Sequence, residues 1–98
     1  MGKREYSDMK IYEYKIKEKD FEFLMNIINH SVLRNHFQAT EKDHQYILLN
    51  LNRKQVIDIL DYLSLKFTEN LDNNSEPNEI GIKIDYLIGI FNLELDWD

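Results

Sequence analysis

The sequence predicts an α+β domain: an antiparallel sheet of about three strands with three helices packed mainly on one face, in the order β-α-β-β-α-α. Three stretches carry that expectation. From Lys10 the residues alternate, with Tyr12, Tyr14 and Ile16 on one side and Glu13, Lys15 and Lys17 on the other, the period of a half-buried strand. The apolar run Tyr46 to Leu51 passes almost without a loop into residues spaced for an amphipathic helix. Residues 79–92 then repeat apolar side chains at helical intervals around most of a circumference.

Met1 to Asp8 is polar and without periodicity, so residues 1–8 are expected to fray ahead of the first strand. The first strand's aromatic and β-branched content suits a pleated, half-buried surface. A helix is expected next, capped by Asp20 and running to about Ser31. Phe21, Leu24, Met25, Ile28 and Val32 share one face of it, and Phe23 and Ile27 widen that face. Such an arc is broader than one neighbour requires, which points to a sheet beneath it or to cover by a further helix or chain.

Leu33 to Thr40 reads as a strand, and Glu41-Lys42-Asp43-His44 as the polar turn that joins it to Tyr46 to Leu51. In the third strand Ile47, Leu49 and Leu51 point one way and Tyr46 and Leu48 the other. Apolar character on both faces marks a central strand. Asn52 is a good N-cap, and Gln55 three residues later can return a bond to the cap's own N–H, forming a capping box. From there Val56, Ile59, Leu60, Leu63, Phe67 and Leu71 fall on one stripe, with Lys54, Asp58, Asp61 and Glu69 opposite. Each of those apolar side chains contributes roughly 1.5–3 kcal/mol on burial, an upper figure because unfolded chains already hide some surface.

Asp72 to Asn78 is a loop by composition. In the final helix Ile80, Ile84, Leu87, Ile88 and Phe91 form one stripe and Ile82, Tyr86 and Ile90 its flank, leaving Gly81, Asp85, Gly89 and Asn92 for water. Residues 93–98 are expected to be an acidic tail that carries Trp97.

The chain of 98 residues suits one hydrophobic core, and 43% hydrophobic with 31% charged residues marks a globular domain spanning 1–98. Cysteine is absent, which excludes disulfides, thiolate metal sites and cysteine nucleophiles. Met1 to Asp20 is studded with charge and no stretch approaches the roughly 20 apolar residues of a membrane span, so no membrane association and a cytoplasmic location are expected. Met1-Gly2 is followed at position six by Tyr6, where a myristoylation signal has Ser or Thr. Asn, Ile and Lys are abundant together, the signature of an A/T-rich genome, and a bacterial or phage origin is the corresponding expectation.

The net charge of −6 is unevenly placed: residues 1–54 carry ten Lys/Arg against eight Asp/Glu, and residues 55–98 two Lys against ten Asp/Glu. The acidic half would repel nucleic acid and speed association with a basic partner. Its acidic patch comprises Asp58, Asp61, Glu69, Asp72, Glu76, Glu79 and Asp85.

Chemical motifs are few. His30, His36 and His44 lack the spacing that places two imidazoles on one helix face. Asp72-x-Asn74-x-Glu76 resembles the start of a calcium loop, but Pro77 stands where that loop has Gly and Lys83 where it has its bidentate Glu. No serine lies in a Gly-x-Ser-x-Gly context and no glycines form a phosphate cradle, so neither a cofactor nor a metal is expected. Apolar surface is the stronger signal: Ile82, Tyr86 and Ile90, with Leu65 and Trp97, form a candidate interface, most simply of a homodimer.

These features together predict a small acidic, non-catalytic interaction protein that self-associates through its apolar helices. It would inhibit or neutralise a basic protein, in an immunity, antitoxin-like or anti-defence role. Two other classes compete. One is a nucleic-acid-binding module using Lys15, Lys17, Arg34, His36 and Tyr46 on the open sheet face. The other is a small hydrolase pairing His36 or His44 with a carboxylate, which needs both imidazoles in one cleft.

Overall fold

The computed structural model describes residues 10–37 and 40–94. Strand β1 (Ile11–Lys17) leads directly into helix α1 (Glu18–Ile27) and a single-turn helix α2 (Ser31–Asn35). The hairpin β2 (Thr40–Asp43) and β3 (Tyr46–Asn52) follows, then the long helix α3 (Arg53–Glu69) and the last helix α4 (Glu79–Glu94). The architecture is α+β in the expected order, with α2 as one extra turn. The sheet runs β1-β3-β2 and is antiparallel throughout, so β3 is central as its two-sided apolar pattern predicts.

Strand alternation decides which side is covered. Tyr12, Tyr14 and Ile16 of β1 and Ile47, Leu49 and Leu51 of β3 all point into the helical layer and are buried. They meet Leu24 and Ile28 of α1 and its exit, Leu33 and Phe37 from α2 and its exit, Val56, Ile59, Leu60 and Leu63 of α3, and Ile84, Leu87 and Phe91 of α4. The opposite face holds Glu13, Lys15, Lys17, Glu41 and Asp43 around half-buried Tyr46 and Leu48.

Several boundaries differ from the sequence reading. Helix α1 begins at Glu18, with Lys17 as N-cap and Asp20 inside its first turn, and ends at Ile27 rather than near Ser31. It stops there because its last carbonyls are taken by distant side chains. Arg34 Nη1 donates to the carbonyls of Met25 (2.6 Å) and Ile28 (2.9 Å), and Tyr62 Oη donates to that of Ile27 (2.9 Å). Val32, expected on the apolar face of α1, is consequently 58% exposed on α2.

The segment Leu33 to Thr40 is not a strand over its length. Its first part is α2, and Glu41-Lys42-Asp43, read as the turn, forms β2 itself. The turn lies one step later at His44 and Gln45, with His44 at φ 59. The capped helix matches its prediction: Asn52 Oδ1 accepts from Gln55 N at 2.8 Å, and Gln55 Oε1 accepts from Asn52 N at 2.9 Å. Leu93 and Glu94, expected in the tail, are the last residues of α4.

Candidate interaction surface

Helix α4 is set in place at both ends. At its start Asn78 Oδ1 accepts from Gly81 N at 2.8 Å, an N-cap, while Asn78 N donates to Asn70 O at 2.9 Å and ties the cap to the end of α3. The loop between them is folded on itself. Asp72 Oδ1 accepts from Asn74 N and Glu76 N at 2.8 and 3.0 Å, and Leu71 bridges Pro77. Gly81, expected to face water, is buried beneath this loop, and a Cβ there would lie 3.0 Å from both Asn70 O and Pro77 Cβ. Near the other end Tyr14 Oη donates to the Phe91 carbonyl at 3.0 Å.

Fixed in this way, α4 turns Ile84, Leu87 and Phe91 inward, with at most 1% of each exposed. The outward side is also apolar: Ile82 is 57%, Tyr86 53% and Leu93 83% exposed. With Gly89 these residues recur at intervals of four and three, the spacing of a helix seam that receives another element. Gly89 is exposed, and a Cβ there would meet nothing within 4 Å. Ile80, expected on the inner stripe, is 46% exposed, while its neighbour Gly81 is buried against the loop.

Of the other interface candidates, Ile90 is half-buried beside the core, Leu65 on α3 is 56% exposed, and Trp97 lies outside the described residues.

The acidic residues divide into two sets. Asp58 is half-buried, with Oδ2 3.6 Å from His36 Nε2 and 3.8 Å from Lys54 Nζ. Glu69 Oε1 accepts from Lys66 Nζ at 3.2 Å, and this bond, with Tyr62 nearby, raises the Lys66 pKa above its ordinary value. Asp72 is occupied with its own loop. Asp61, Glu76, Glu79 and Asp85 are exposed, and Asp85 borders Ile82, Tyr86 and Gly89 on the same helix.

The competing sites do not assemble as the sequence suggested. Lys15, Lys17 and Tyr46 do share the open sheet face, with Lys15 Nζ 4.7 Å from the Tyr46 ring centroid. Arg34 and His36 do not, because that segment is helical and its side chains serve α1 and α3. What remains on the face alternates in sign with Glu13, Glu41 and Asp43, unlike the basic groove a phosphate backbone requires. The histidines separate too. His36 lies against Asp58, whereas His44 is at the hairpin tip, its side chain 91% exposed and 3.7 Å from Asp43. Only one of the two is therefore sheltered, and the common cleft a His-dependent hydrolase needs is not formed by them.

Among the described residues no three metal-ligating side chains gather, and no helix is long and apolar enough to cross a membrane. Comparison with protein-family models, with curated proteins and with solved structures finds no match for the chain.

Proposed function

We propose that this chain is a non-catalytic interaction protein that self-associates through the outward side of α4. The observation that supports this is the exposed seam Ile82, Tyr86 and Leu93, on a helix whose opposite stripe already fills the core. Apolar side chains at seam spacing contribute nothing to a single copy and gain free energy when another surface excludes water from them. The exposed carboxylates Asp61, Glu76, Glu79 and Asp85 support a second contact, with a basic protein that the chain would inhibit or neutralise in an immunity, antitoxin-like or anti-defence role.

Sedimentation equilibrium tests the first part. The parent protein is expected to dimerise in the micromolar range, and Ile82→Lys with Tyr86→Lys to be monomeric with an unchanged far-ultraviolet spectrum. A parent that stays monomeric at high micromolar concentration overturns it. For the second part, a basic protein bound by the chain is expected to dissociate as salt rises, and salt-independent binding would refute a charge-based contact.

A further inference from the structure

Among the described residues the sheet ends on one side in β1, which pairs with β3 and has no other strand beside it. It is seven residues long, contains no proline, and its register with β3 runs from Ile11–Asn52 to Lys17–Tyr46 without a bulge. Edges of that length and regularity are normally shortened, kinked, charged or covered, because their unpaired N–H and C=O groups accept another strand.

The register identifies which groups are free. Glu18 N donates to Gln45 O at 2.8 Å, continuing the ladder one step past Lys17. Antiparallel pairs alternate between bonded and non-bonded, so Ile16, Tyr14 and Tyr12 turn their main-chain groups toward β3, and Ile11, Glu13, Lys15 and Lys17 turn theirs outward. These four residues also carry the exposed side chains of β1.

We infer that the free edge of β1 pairs with β1 of a second copy, antiparallel about a two-fold axis at Tyr14, to make one six-stranded sheet. The charge sequence of the strand selects this occupant. About that axis Glu13 stands opposite the partner's Lys15 and Lys15 opposite the partner's Glu13, both in the bonded class of pair, so opposite charges meet twice on the open face. The aliphatic stem of Lys17 meets the partner's Ile11, which is 56% exposed in the single chain.

This inference rests on the self-association reading and gives it a geometry. The Phe91 ring lies 5.0 Å from that of Tyr14, so α4 sits over β1 near the axis. The same two-fold places both α4 helices on the same face of the six-stranded sheet.

Charge reversal tests the pairing without touching the core, since Glu13 and Lys15 are exposed. Glu13→Lys places lysines opposite lysines and Lys15→Glu places glutamates opposite glutamates. Each is expected to weaken the dimer about tenfold or more, through two reversed pairs per dimer. The double variant Glu13→Lys/Lys15→Glu restores the parent affinity, and so does mixing the two single variants, because the heterodimer again pairs Lys with Glu. If all these variants dimerise like the parent while Tyr86→Lys is monomeric, the β1 pairing is wrong and association through α4 stands. If the parent itself is monomeric at high micromolar concentration, both fall.

Discussion

Tyr14 in the first strand donates its hydroxyl proton to the carbonyl of Phe91 in the last helix, 77 positions away, at 3.0 Å, and the two rings lie 5.0 Å apart. Phe91 is in the final turn of α4, and the tyrosine supplies its carbonyl with a buried side-chain donor. Tyr14→Phe keeps the ring contact and removes only that bond. It is expected to lower unfolding stability by about 1–2 kcal/mol in urea titration, with the slope unchanged.

Arg34 acts similarly for α1. Arg34→Met keeps much of the stem and leaves the Met25 and Ile28 carbonyls without their donor. A loss of about 1 kcal/mol is expected, since part of the site is open to water. Hydrogen exchange of the amides in the last turn of α1 should accelerate more than that of α3.

The two helical glycines of α4 should respond with opposite signs. Gly89→Ala places a methyl group where the chain has nothing within 4 Å, so dilute protein should gain about 0.5–1 kcal/mol from helix propensity. Gly81→Ala forces a methyl group to 3.0 Å from a carbonyl oxygen and a proline ring, and should cost about 1–3 kcal/mol as the loop is pushed away. Thermal melts of the pair decide it, and equal shifts would contradict the close approach seen at Gly81.

Asn52→Ala removes the side-chain acceptor for Gln55 N and is expected to cost about 1 kcal/mol. Gln55→Ala opens the other half of the box. Because the two bonds are reciprocal, the double variant should lose less than the two single losses combined.

Lys42 joins β2 to α1 through Glu18, 2.8 Å away, and its pKa is raised above 10.5 mainly by that hydrogen bond and then by the charge of Glu18. A raised lysine pKa contributes stability that is complete below the unfolded value of 10.5 and fades as pH climbs through the folded one. The difference in urea midpoint between the parent and Lys42→Met should therefore be constant between about pH 7 and 9.5 and shrink above about pH 10.5. Salt should reduce it at every pH, since both groups are open to solvent.

The elements that were legible in the sequence are those whose determinants are local. Asn52 and Gln55 fix the start of α3, and alternation at Tyr12, Tyr14 and Ile16 fixes the buried side of β1. Ile28 and Val32 continue the apolar spacing of α1 past its end at Ile27. What ends it is Arg34 and Tyr62, and periodicity carries no information about a donor on another element. Glu41-Lys42-Asp43 of β2 is polar on both sides, which is the composition of a turn. It is a strand by virtue of β3 beside it, a pairing that its own composition does not express. In the candidate interface, the spacing of Ile82, Tyr86 and Ile90 showed that α4 had apolar surface to spare. Of these the core partly takes in Ile90 and leaves Ile82 and Tyr86 exposed.

The tie between Tyr14 and Phe91 also bears on the order of events during synthesis. Strand β1 leaves the ribosome some 77 residues ahead of Phe91, and β3, its pairing partner among the described residues, is about 35 residues behind it. Tyr12 and Tyr14 therefore wait uncovered while most of the polypeptide is made, and long-range closure of this kind slows folding. Nascent chains halted before α4 should accordingly bind hydrophobic-surface dyes and recruit chaperones.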